Sequence, residues 1–280
     1  MHALPLLLAL ACAAAMAPAV LRALGAGGHT KANYRGRELP FPLGVLTLAA
    51  AVLALIPLEL LQRLASAGLL HPELLPIALY ALGVIALGLV DDVFGAPPPG
   101  RPQRRGWRGH GAAALRGEVS TGVLKAAGSL GLALLAMSYR NLSDGRWLLA
   151  AAVLVLATNL FNLLDLRPGR SLKAFVLLGA GLVIGTGDAR PLWSLGVFAG
   201  AALVAGLYDL RERALLGDSG ASLLGALAGL WLVLTLSGVG QLVALALLGA
   251  VTVYGELRSI SALIERTPGL RELDSWGRPS

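Results

Sequence analysis

Apolar stretches recur along the whole chain, each near the roughly 20 residues that carry a helix across ~30 Å of hydrocarbon, and polar or Gly/Pro-rich connections separate them. Nine spans are predicted, at about Leu4–Val20, Leu43–Leu61, Leu74–Val90, Thr121–Met137, Trp147–Leu164, Leu172–Gly185, Leu192–Tyr208, Ser219–Leu236 and Val239–Leu257. The first run is read as a span rather than a cleaved leader, because no Lys or Arg precedes it. The polar stretch His29 to Pro40 is punctuated by Gly36 and Pro40 and is expected to be irregular. Ala96-Pro97-Pro98-Pro99-Gly100 breaks any helix, and Arg101 to Arg116 reads as a basic, Gly-rich loop. Beyond Leu257 the chain turns polar to its last residue.

Composition sharpens this into an all-α, polytopic transmembrane helix bundle in one integral-membrane domain over residues 1–280, with a polar tail at about 258–280. At 56% hydrophobic and 14% charged, the chain is too apolar for an ordinary soluble domain. The single cysteine, Cys12, excludes an intramolecular disulfide and any Cys-based metal cluster. The net charge of +7 is no nucleic-acid signature, since no Lys/Arg cluster is interleaved with aromatics. When the connections are assigned alternately to the two sides, eighteen of the 23 Lys and Arg fall on one side and four on the other, and Lys125 stands inside a span. By the positive-inside rule the N-terminus is outside and the C-terminus cytoplasmic.

Four polar features then fall on the cytoplasmic side. Asp91 and Asp92 end the third apolar run, where the negative end of a helix dipole disfavours them and a divalent metal or a Lys/Arg would compensate. A solvated helix end is the other reading. Asn159, Asn162 and Asp165 recur at steps of three and share one helix face, either as glue between helices or as ligands of a metal or nucleotide. Asp218, in Gly217-Asp218-Ser219-Gly220, is either an N-cap or a hard-metal and phosphate-site residue. Lys125 either snorkels to the surface or faces the bundle to neutralise the acid pair or a phosphate. Lys31, Arg35 and Arg37 offer further phosphate contacts. Carboxylates, carboxamides and cations on one membrane face suit a metal-assisted reaction between a soluble anionic donor and an acceptor in the bilayer.

Taken in order, Pro40-Phe41-Pro42-Leu43-Gly44, Asp91-Asp92-Val93-Phe94-Gly95, Asn159 to Asp165 and Gly217 to Gly225 resemble the motifs of the polyprenyl-phosphate N-acetylhexosamine-1-phosphate transferases. The resemblance implies a multi-pass enzyme of the bacterial plasma membrane, its active site facing the cytoplasm, that works in cell-envelope glycan synthesis. It would transfer a sugar-1-phosphate from a UDP-sugar to a polyprenyl phosphate and release UMP, with Mg²⁺ as cofactor. By position, Asp218 would bind Mg²⁺ together with Asn162. Asp91 and Asp92 would position or deprotonate the lipid phosphate, Lys125 would bind phosphate, and Asn159 and Asp165 would lie near the nucleotide. A second copy of the chain, as a homodimer, is a further candidate partner.

Two departures stand out. The family's Asp-Gly continuation is replaced by Asp165-Leu166-Arg167-Pro168-Gly169-Arg170, and its late His cluster is absent: the histidines are His2, His29, His71 and His110. Arg258, Arg271 and Arg278 are candidates for the donor contacts those histidines would make. A catalytically silent relative that binds the lipid carrier or an assembly partner is the alternative. A secondary transporter fits less well, because its site would lie near the midplane.

Overall fold

In the computed structural model, which describes residues 2–95 and 120–279, helices make up nearly all of the regular structure. In chain order the elements are α1 (Leu4–Ala26), β1 (Thr30–Ala32), β2 (Glu38–Pro40), α2 (Gly44–Leu64), α3 (Leu74–Phe94), α4 (Thr121–Ser138), α5 (Asp144–Leu164) and α6 (Arg170–Thr186). They continue with α7 (Arg190–Ser194), α8 (Gly196–Leu210), α9 (Gly217–Thr235), α10 (Gly238–Leu257), α11 (Ile260–Arg266) and α12 (Pro268–Ser275). Seven of these helices, α1 to α5, α9 and α10, are long and apolar enough to cross a membrane. The seventh apolar stretch is interrupted at Leu195 and forms the short α7 and then α8. The expected Pro-rich break and basic loop at 96–119 lie outside the described residues.

Helix α9 is the axis of the bundle. Every residue from Ser219 to Val233 is buried, as expected of a helix that is apolar all round. Small residues let its neighbours come close. A side chain at Gly44 of α2 would collide with the Ser219 side chain and one at Gly88 of α3 with the Ser219 backbone, so both helices approach the first turn of α9 closely. The outer helices show the opposite pattern: Leu53, Ile56 and Leu60 of α2 and Leu242, Leu247 and Val251 of α10 are exposed. Such apolar outer faces suit a lipid solvent, in which each helix satisfies its own backbone.

The stretch expected to be irregular folds instead as an antiparallel hairpin, pairing Thr30 with Pro40, Lys31 with Leu39 and Ala32 with Glu38. Asn33 closes it, its Oδ1 accepting from the N–H groups of Arg35 at 2.9 Å and Arg37 at 3.0 Å. This side-chain turn supplies order that a count of glycines and prolines does not reveal. Backbone bonds from Leu215 N to Pro40 O (2.9 Å) and from Leu43 N to Leu215 O (3.0 Å) join the hairpin to the α8–α9 connection.

The polar tail is also ordered. Asp274 of α12 accepts from Arg170 Nε at 2.9 Å and Arg278 Nη2 at 2.8 Å, all three side chains being buried. Arg278 Nε also donates to Pro168 O at 2.7 Å, and Lys173 Nζ donates to the carbonyls of Leu273 and Asp274. Burial opposes ionisation of Asp274, but the two guanidiniums overcome it and hold the carboxyl at about 2.

Candidate functional site

The motif residues gather at one end of the bundle because α3 and α5 finish there while α4 and α9 begin there. Asp91 and Asp92 lie in the last turn of α3, which runs on to Phe94. Adjacent positions on a helix point about 100° apart, and the two acids have separate tasks. Asp92 reaches the start of α9: its Oδ1 accepts from Asp218 N at 2.8 Å, and its Oδ2 accepts from Ser219 N at 3.0 Å and Ser219 Oγ at 2.6 Å. The orphan N–H groups of α9 are thus capped by a carboxylate from another helix, placed at the positive end of the dipole. Gly217, with φ +76, makes the turn that aims those groups at Asp92.

Since Asp92 does the capping, Asp218 is not an N-cap; no side-chain cap is made from the residue preceding α9 either. The Asp218 carboxylate instead receives Lys125 Nζ on Oδ2 at 2.8 Å, and the same ammonium stands 3.6 Å from Asp91 Oδ2. Lys125, in the first turns of α4, therefore turns into the bundle, with its side chain only 14% exposed, rather than snorkelling outward. Asp91, Lys125 and Asp218 come from three helices and form one acid–cation–acid bridge.

Asn162 is engaged on both sides. Its Nδ2 donates to Thr158 O at 3.1 Å and its Oδ1 accepts from Ser222 Oγ at 3.0 Å. Thr158 Oγ1 pairs with Tyr80 OH at 2.9 Å, so a polar ladder ties α3, α5 and α9 together, the gluing role open to such a stripe. Asn159 is exposed and does not join this ladder. Asp165, just past the end of α5, is half-buried and makes no side-chain hydrogen bond among the described residues. Burial pushes its carboxyl well above the ordinary range; the negative charges of Asp209, Asp218 and Asp92 add to this, and Lys31 opposes it. Lys31 is exposed on β1 and lies over the Phe41 ring, 4.5 Å from its centroid. Arg35 and Arg37 are drawn to Glu212, and Arg167 pairs with Glu265. Arg278 is committed to Asp274 and Pro168, so it is not available as a substitute for a donor contact.

The donors that a divalent cation would take at this end are carboxylate oxygens. Asp218, with its side chain 42% exposed, and Asp165 supply hard carboxylate oxygens, and Asp91 faces Asp218 across the shared ammonium. No cluster of three His, Cys, Asp or Glu with metal-ligand geometry occurs among the described residues, so such an ion would depend on water and substrate oxygens for the rest of its shell.

The sequence reading missed Asp209 and Glu212. Asp209 is buried, its Oδ2 accepting from Gly169 N at 2.6 Å and its Oδ1 from Leu216 N at 3.0 Å, so it joins the loop after Asp165 to the turn before Asp218. The available signal was two acids in the short basic connection Asp209-Leu210-Arg211-Glu212-Arg213, where acids are not needed for topology.

Two cavities flank the bundle. An apolar groove of about 180 Å³, lined by Leu160, Phe161, Leu164, Leu178, Leu232 and Leu248, runs along the C-terminal half of α5. A larger open one of about 370 Å³, lined by Glu73, Tyr139 and Arg140 among others, lies by the connections at the opposite ends of α3 and α4. Compared with family models and with curated proteins, the chain gives no match.

Proposed function

We propose that the chain is a Mg²⁺-dependent transferase that moves a sugar-1-phosphate from a UDP-sugar, an N-acetylhexosamine donor being the closest fit to its motifs, onto a polyprenyl phosphate. A phosphate oxygen of the lipid attacks the sugar-bearing phosphorus, the phosphoanhydride bond breaks, and UMP leaves with the bonding electron pair. The observation that carries this reading is the convergence of Asp91, Lys125 and Asp218 from three helices, at 2.8 and 3.6 Å, at one end of an apolar bundle. The apolar groove beside α5 adds a place for an isoprenoid tail. The distribution of Lys and Arg over nine apolar runs supports a cytoplasmic active site, and the motif resemblance supports a bacterial plasma membrane.

When bound, Mg²⁺ offsets phosphate charge as it passes from the attacked phosphorus to the leaving group. Asp218 and Asp165 are the residues open to hold it. Lys125 then has two partners, the Asp91 carboxylate and a substrate phosphate. Asp92 keeps the first turn of α9 in place rather than acting as a base, because its oxygens already accept three hydrogen bonds.

Purified protein supplied with Mg²⁺, polyprenyl phosphate and a panel of UDP-sugars should release UMP with at least one donor. Asp218→Asn should lower that release by at least about 100-fold, and chelation should abolish it. Folded protein that turns over no donor rejects the proposal. One observation favours a silent lipid-carrier binder instead: Lys125 already supplies a cation between Asp91 and Asp218. Binding of polyprenyl phosphate without turnover would identify that case.

A further inference from the structure

The α8–α9 connection holds a buried acid to which the reaction above gives no task. Glu212 has φ +50, a left-handed backbone that residues with a Cβ rarely adopt. Its side chain has no exposed surface. Such strain persists where surrounding contacts over-determine it, and here the side-chain hydrogen bonds and ion pairs lead to the β1–β2 hairpin. Asn33 Nδ2 donates to Oε2 at 3.0 Å and Tyr34 OH donates to Oε1 at 3.3 Å. Arg35 Nε stands 3.5 Å from Oε1, and Arg37 Nη1 stands 3.9 Å from Oε2. Asn33 in turn closes the hairpin through the N–H groups of Arg35 and Arg37. At the other end of the hairpin, Lys31 Nζ lies 4.5 Å from the centroid of the Phe41 ring, and that ring packs against Gly217, next to Asp92 and Asp218.

We propose that Glu212 is a positioning residue that anchors the tip of the hairpin, so that Lys31 is held on Phe41 beside Gly217 and Asp218 as a ready cation for the anionic donor. This rests on the transferase reading for the identity of the donor but not for the anchor itself. Without Glu212, the base of the hairpin stays pinned through Pro40 and Leu215, while its tip loses its buried acceptors. The donor then has to order the hairpin as it binds, and that cost appears in affinity rather than in the chemical step.

Two variants separate anchoring from folding. Glu212→Gly takes up the left-handed backbone without strain yet removes both acceptor oxygens; Glu212→Gln keeps the size and removes the charge. In both, hydrogen exchange should quicken at Asn33 and Gly36, whose N–H groups bond Arg37 O and Asn33 O at 2.9 Å in the intact hairpin. KM for the UDP-sugar should rise about tenfold while kcat stays within about threefold. Exchange is read without substrate, so an unmutated chain that shows no turnover rejects the function above and leaves the anchor to be judged by exchange alone. Unchanged exchange in both variants rejects the anchor whatever the turnover. Faster exchange with unchanged KM makes Glu212 a structural contact only and overturns the positioning role.

Discussion

At the residue scale the candidate site is a problem in charge compensation. Lys125 is the cation shared by Asp91 and Asp218, both partly desolvated, and removing it leaves two facing carboxylates with their mutual repulsion. Lys125→Met should therefore destabilise the protein by about 3 kcal/mol. Millimolar Mg²⁺ should raise the Tm of that variant more than that of the unmutated chain, because a cation that binds the folded state stabilises it by mass action. Equal Mg²⁺ responses would count against a cation site here. Asp165 gives the pH dependence. Its folded carboxyl titrates above its unfolded value, so the folded state binds more protons between the two, and this residue's contribution to stability falls as pH rises through that window. Asp165→Asn should abolish that slope and raise Tm near neutral pH while lowering turnover, as expected where a functional site holds charges that the fold does not favour. The need for compensation was legible in the sequence, as paired acids ending an apolar run. That Asp92 caps α9 was not legible, since its partner lies more than a hundred residues away.

Among the elements, the tail and α9 show how local chemistry sets docking. The tail helices α11 and α12 are too short to be stable alone; the clamp of Arg170, Asp274 and Arg278 holds them to the start of α6. Arg170→Ala removes one guanidinium from a buried carboxylate and should cost about 3 kcal/mol, read as faster proteolysis between Arg258 and Arg278. Because Asp274 titrates at about 2 when folded, below an ordinary carboxylate, its clamp is complete above about pH 4 and is lost as pH falls through about 2. For α9, Gly88→Leu should prevent folding into detergent, since the side chain would meet the Ser219 backbone. The length and placement of the seven long apolar helices could be read from apolar runs alone. The hairpin could not, because Asn33 and Glu212 supply its order from outside any periodic pattern.

For the whole molecule, the prediction is one of sidedness. With the single native Cys12 removed, a cysteine placed at Glu73 and one placed at Glu265 should label from opposite faces of the membrane, and Glu265 from the cytoplasm. Labelling of both from one face would refute the alternating arrangement and with it a single acidic end. The sequence by itself determined that the chain is an all-α membrane protein, because hydrocarbon demands long apolar helices and composition records that demand residue by residue. It also marked the acids, amides and lysine that meet at one end, because charge beside hydrocarbon is costly enough to stand out. Only the tertiary structure decided their contacts, with Asp92 as a cap, Asn162 as glue and Lys125 as a bridge, and it alone brought Glu212 to the hairpin. Those assignments depend on distances of about 3 Å between groups far apart in the chain, and hydrogen bonding at that range is set by how helices pack, not by what any one of them contains.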